Sequence, residues 1–145
     1  MASARELIEG THTTWNARDL QGYRDLGAPG LEMRVSGGSP GTGPDGLEQL
    51  YTLWQEAFPD NHAEILSIVC EANDAALEGR LTGTHTGPLR LPTGDIPPTG
   101  RRVSVEYALQ ISEAGGRMVS YRLYFDRVDL MTQLGLMPEP AAAGT

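Results

Sequence analysis

Three histidines, His12, His62 and His85, and the carboxylate of Asp126 are the side chains of this 145-residue chain that bear on proton transfer near neutral pH. His85 stands in Gly83-Thr84-His85-Thr86-Gly87, in register with Leu77, Gly79 and Leu81, the less polar set of an extended segment, so it points inward. A buried imidazole there suits a general acid or base; a core histidine bonded to backbone satisfies the same pattern. His62 follows Phe58-Pro59-Asp60-Asn61 where a helix gives way to a strand, a place for a rim acid or for a turn-stabilising side chain. Asp126 closes Tyr121-Arg122-Leu123-Tyr124-Phe125-Asp126 and is followed by Asp129. That spacing fits the N-cap and first turn of a last helix, and equally a carboxylate paired with a histidine at a pocket rim. His12, beside Thr11 on the first helix, gives no signal above background. Trp54, Phe58, Tyr107 and Tyr121 fall on apolar faces, where aromatic rings fill a core or stack on a flat ligand.

The elements that must position these groups follow from hydrophobic period. Leu7, Ile8, Thr11 and Trp15 repeat at helical spacing over Ser3 to Trp15, and Asp19 can cap a short helix from Leu20 to Leu26. Gly27-Ala28-Pro29-Gly30 breaks the pattern, and Leu31 to Val35 reads as a short strand. Ser36 to Asp45 holds four glycines and two prolines in ten residues and is expected to be loop. Leu47, Leu50, Tyr51, Trp54 and Phe58 then share one helical face. From Asn61 onward the period becomes two. Segments 61–70, 75–87, 102–111 and 117–125 are extended, the clearest being Val103, Val105, Tyr107, Leu109 and Ile111 alternating with polar neighbours. Ala114-Gly115-Gly116 should turn the last two into a hairpin. Gly79 and Gly83 within a strand suggest bulges that curl the sheet. The proline-rich stretch from Gly87 to Gly100 is too long for a tight hairpin and should cover one end of a pocket. A short helix, 128–134, follows. These elements give an α+β domain over 1–137, a curved, mostly antiparallel sheet of four or five strands packed against three N-terminal helices around an interior pocket, with 138–145 a disordered tail.

Composition narrows the chemistry. Eleven cations against 19 carboxylates give a net charge of −8, which disfavours nucleic acid and anionic membranes as partners. No apolar run reaches the roughly 18 residues of a spanning helix, and no secretory pattern opens the chain, so a cytoplasmic location is expected. All 11 cations are arginine, which leaves no lysine for Schiff-base chemistry. One cysteine, Cys70, allows no internal disulfide and is expected to be a buried small hydrophobe. Scattered histidines and glycine strings at the wrong spacing give no metal or nucleotide signature, so neither metal nor cofactor is expected.

Several strings in order resemble a known family: Trp54-Gln55-Glu56-Ala57-Phe58-Pro59-Asp60, Gly83-Thr84-His85-Thr86-Gly87, Ile96-Pro97-Pro98-Thr99-Gly100-Arg101, Gly116-Arg117-Met118-Val119, Tyr124-Phe125-Asp126 and Gln133-Leu134-Gly135. Together they are similar to the SnoaL-like polyketide cyclases of the nuclear transport factor 2-like superfamily, over roughly residues 5–137. The resemblance implies a cone-shaped barrel, a homodimer or homotetramer, and a pocket for a small hydrophobic polyketide-type substrate, closed into a ring without metal or cofactor. It also implies a departure. Leu123 stands where the founding cyclases carry their acid–base aspartate, and Leu109 where they carry a pocket histidine, while His85 and Asp126 match other positions of the pattern. The leading expectation is therefore a cyclase or isomerase with His85, Asp126 and His62 as proton-transfer groups and Trp54, Phe58, Tyr107, Leu109, Tyr121 and Leu123 around the substrate. A cofactor-independent hydroxylase of an aromatic polyketide and a non-catalytic binding module are the alternatives.

Overall fold

The computed structural model describes residues 1–38 and 40–137; the tail expected at 138–145 lies outside the described residues. Helix α1 (Ala4–Asn16) opens with a capping box: the Ser3 hydroxyl accepts from the Glu6 amide at 3.1 Å, and the Glu6 carboxylate accepts from the Ser3 amide at 3.2 Å. Its buried stripe is Ala4, Leu7, Ile8, Thr11, His12 and Trp15. Asp19 caps α2 (Leu20–Asp25) through the Gly22 amide. Strand β1 (Gly27–Val35) runs longer than its apolar core suggests, because Gly27 already pairs with Met118 before a register irregularity ahead of Glu32. The glycine-rich stretch also holds more structure than expected. It contains β2 (Gly41–Thr42) and the start of α3 (Gly43–Ala57), with Pro44 in the first turn, where a missing amide hydrogen costs no bond.

Strands β3 (His62–Glu71) and β4 (Asp74–Thr84) form a hairpin, as do β7 (Arg102–Ala114) and β8 (Arg117–Phe125). Between the hairpins, the long loop folds into a separate two-stranded ribbon of β5 (Leu89–Leu91) and β6 (Gly94–Ile96). Helix α4 (Arg127–Gln133) follows β8. The main sheet has six strands in the order β2-β1-β8-β7-β4-β3, one more than the sequence suggested, because β2 from the stretch expected to be loop pairs with β1, which itself joins the C-terminal hairpin in parallel with β8. Helix α1 packs against β3, β4 and β7, and α3 against β1 and β5, so the helices cover the concave face of a curved α+β sheet.

Register places the inward side chains in rows: Leu77, Leu109 and Leu123 share one row, and Ala75, Ile111 and Tyr121 the next. The β4–β7 ladder runs without a shift from Asp74 to Thr84, so Gly79 and Gly83 are not bulges. Each makes room instead. A Cβ at Gly79 would lie 2.5 Å from the Tyr107 hydroxyl oxygen, and one at Gly83 would lie 3.1 Å from Phe58 Cβ. The register irregularities of this sheet fall on β3 between Ile65 and Ser67, on β1 ahead of Glu32, and between Ser112 and Glu113 where β7 meets β8. Cys70, expected inside, is exposed on β3, one of the sheet's two edge strands.

Candidate functional site

Under α1 and α3 the concave face encloses a small chamber of about 60 Å³. Trp54, Tyr107, Leu109, Tyr121 and Leu123 of the expected wall line it; Phe58 does not, since it stacks behind Trp54 with ring centroids 5.7 Å apart. The remaining wall is mostly aliphatic or aromatic, and among the described residues no Asp, Glu or Arg faces the chamber. Leu50, Trp54 and Phe125 also border a second, larger cavity of about 340 Å³. This vestibule lies between the β1–α3 loop, the β5–β6 ribbon and α4. The loop expected to cover one end of the pocket thus supplies Leu89, Arg90, Leu91 and Pro92 to its wall.

The chamber's polar groups come from α1, α2, β7 and β8. The Thr11 hydroxyl donates to the Ile8 carbonyl at 2.6 Å, so its oxygen is left to accept from His12 Nδ1 at 2.9 Å. With the Nδ1 proton placed by that bond, His12 Nε2 carries a lone pair, and it accepts from the Tyr107 hydroxyl at 2.5 Å. The two rings are stacked, with centroids 5.9 Å apart. Burial pushes His12 down to about 4, so the imidazole is neutral at pH 7, and burial pushes the Tyr107 phenol well above its usual range. Beside them, the Tyr23 and Tyr121 hydroxyls share a hydrogen bond of 3.0 Å, and burial pushes Tyr121 up to about 12. Two hydroxyls bring two protons and their mutual bond uses one, so one donor is left for a guest.

The three groups singled out for proton transfer lie elsewhere. His85 is fully buried but two rings behind the chamber wall, packed on Phe58 at 5.3 Å between ring centroids. Its Nδ1 accepts from the Thr99 amide at 3.2 Å, and its backbone bonds Arg101 and Gly100, which ties the loop down at its C-terminal end. Its Nε2 is buried without a partner among the described residues, and burial lowers the ring's affinity for a proton. Asp126 is exposed and caps α4, accepting from the Asp129 amide at 3.0 Å. His62 is exposed at the start of β3. The outer position of His62 and the helix start at Asp126 are consequences of strand phase and capping, which turn both side chains to solvent.

His12 is the group that the reading of the sequence passed over. Its signal was present: Ile8, His12 and Trp15 follow one another at i, i+4 and i+7, on the face that becomes buried. Among the described residues no cluster of three His, Cys, Asp or Glu side chains is placed to hold a metal ion. Nor, among the described residues, is any helix long and apolar enough to cross a membrane.

Comparison with known proteins agrees with this architecture. Residues 5–134 match the family of SnoaL-like polyketide cyclases. Among solved structures, AclR of Streptomyces galilaeus, described as a candidate hydroxylase, is 25% identical with a TM-score of 0.80, over 95% of this chain and 89% of that one. IdmH of Streptomyces antibioticus, described as a candidate polyketide cyclase, is 26% identical with a TM-score of 0.75, over 91% and 98% of the two chains. A SnoaL-like candidate polyketide cyclase of Jannaschia sp. CCS1, at 19% identity and a TM-score of 0.80 over 93% of each chain, shares the fold. Among curated protein sequences none matches. The chain belongs to the SnoaL-like polyketide cyclase family.

Proposed function

We propose that the protein is a cofactor-independent proton-transfer enzyme, a cyclase or isomerase acting on a hydrophobic polyketide-type substrate. The observation that carries this reading is the His12–Tyr107 pair in a chamber that no carboxylate of the described residues lines. A ketone whose reactive end enters the chamber meets the Tyr107 oxygen, and the phenol proton has an acceptor ready in His12 Nε2. Tyr107 takes the proton from a carbon that the carbonyl acidifies, either directly beside it or through a conjugated ring, as its own passes to His12, and the Tyr23–Tyr121 pair donates to the enolate oxygen that forms. Leu109 and Leu123 occupy the positions that the resemblance assigns to the family's histidine and aspartate, and the acid–base work falls to Tyr107 on the strand of Leu109 and to His12 on α1. General acid–base catalysis of this kind contributes on the order of 10²- to 10⁴-fold in rate.

The two cavities divide the work. A chamber of about 60 Å³ admits only a few atoms, whereas the vestibule of about 340 Å³ falls in the range of small-molecule sites. The polycyclic body belongs in the vestibule, and the Trp54–Phe125 edge contact, 5.5 Å between centroids, must open for the reactive end to pass.

Anthrone, a tricyclic ketone with acidic hydrogens, tests the reading. In D₂O without oxygen, the enzyme should speed exchange of the C10 hydrogens, and His12→Gln and Tyr107→Phe should each abolish most of that increment. No acceleration over buffer would sink the proposal and leave a binding module. The likeness to AclR favours a second reading, a hydroxylase on the same site. Its signature is oxygen uptake with conversion of anthrone and O₂ to anthraquinone and water.

A further inference from the structure

We propose that the vestibule selects a carboxylate-bearing substrate, with Arg127 as the residue that binds the carboxylate. The inference rests on the vestibule being the substrate's seat, as in the proposed function. Among the described residues two cations and no carboxylate border this cavity, in a chain whose net charge is −8. Of the two, Arg90 is already held, by Asp95 at 3.0 Å and Glu56 at 3.5 Å. Arg127 has no ion pair among the described residues.

Its neighbours do not neutralise it by direct contact, because both are otherwise engaged. The Asp126 carboxylate caps α4 through the Asp129 amide, and the Asp129 carboxylate accepts from Gln133 Nε2 at 3.0 Å. The Arg127 side chain lies across Gly37, in space that any side chain at 37 would fill, and the positive φ of 70° there favours glycine. That contact holds the guanidinium stem against the Ser36–Gly38 wall of the vestibule. A single planar guanidinium matches a carboxylate as a two-pronged donor, whereas a phosphate carries a second charge that one arginine leaves unanswered. The apolar remainder of the wall, Leu53, Leu89, Leu91 and Met131 among others, suits an apolar body on the same molecule.

The test is equilibrium binding to the full chain, by calorimetry, of anthracene-2-carboxylate, its neutral carboxamide and 2-naphthyl phosphate. The carboxylate should bind roughly fivefold tighter than the carboxamide at low salt, and the preference should shrink at 0.5 M NaCl. Arg127→Gln should erase the preference and leave the carboxamide's affinity as it was, while Arg90→Gln should keep it. Equal binding of acid and amide, a preference that survives Arg127→Gln, tighter binding of the phosphate, or no binding of any probe overturns the proposal. Because the readout is binding, the two ideas separate. Anthrone exchange without acid preference removes the carboxylate site alone, and acid preference without exchange removes the proton-transfer reading alone.

Discussion

The phenol of Tyr107 occupies the space over Gly79, its partner across the β4–β7 ladder, and a Cβ at 79 would lie 2.5 Å from the phenol oxygen. Lying flat across the neighbouring strand, the ring carries its hydroxyl to His12 Nε2 on α1. A glycine that weakens the strand therefore creates the geometry of the chamber's polar pair.

Gly79→Ala should break that pair without touching either member. The added methyl forces the Tyr107 ring off its place, at a cost of about 1–3 kcal/mol for overpacking. Denaturant unfolding should show the loss, and anthrone exchange should fall at least tenfold. A variant that keeps the wild-type rate would show that Tyr107 can work from elsewhere.

Tyr107→Phe removes one hydroxyl and leaves His12 Nε2 buried without a donor, which costs about 1–3 kcal/mol. The expected signature is a rate drop of roughly 10²-fold or more together with lower stability. His12→Gln should match it in rate. If the two single variants and the double variant all lose a similar factor, the residues act as a unit; full additivity would argue for independent roles.

Acid should destabilise the fold over a defined window. His12 titrates near 6.5 when unfolded and near 4 when folded, so between those values the unfolded chain binds the extra proton. Stability is unaffected by this group above pH 6.5, declines as pH falls toward 4, and by then has lost about 3 kcal/mol. His85 is lowered in the same direction and adds to the slope. His12→Gln should flatten the curve in urea titrations at pH 4.5 and 7. Activity that needs the neutral imidazole should hold through pH 6 and drop only as pH approaches 4.

His85→Ala should separate structure from chemistry. The imidazole fixes Thr99 and packs on Phe58, so its loss should cost about 2–4 kcal/mol through the lost bond and the space left behind. Anthrone exchange measured well below the melting temperature should stay within about threefold of wild type. A loss of 10²-fold with normal stability would return His85 to the role of acid or base.

Asp126→Asn keeps a good N-cap and should change little, while Asp126→Ala should cost about 1 kcal/mol of stability. Neither should alter the exchange rate.

Much of the fold was legible because period reports phase. The alternation of Val103, Val105, Tyr107, Leu109 and Ile111 identified one strand's inward face, and the helical spacing of Leu7, Ile8, Thr11 and Trp15 identified the buried side of α1. The parallel pairing of β1 with β8 was not legible, since nothing local in Gly27–Val35 names a partner almost a hundred residues away. Nor was the role of Gly79, where bulge and close approach look alike in sequence.

Composition and period were enough for the class of molecule: an acidic, lysine-free α+β domain with three histidines, and with leucines at 109 and 123 where the resemblance implies polar groups. Only the tertiary structure decided which histidine meets the cavity. Period tells which face of an element is buried, and His85 and His12 are both buried. What each is buried against depends on contacts distant in the chain. His85 is enclosed behind Phe58 and the Thr99 loop, whereas His12 faces a tyrosine 95 residues later. That pairing follows from the register of β4 on β7 and the seating of α1 across them, and no local pattern encodes either.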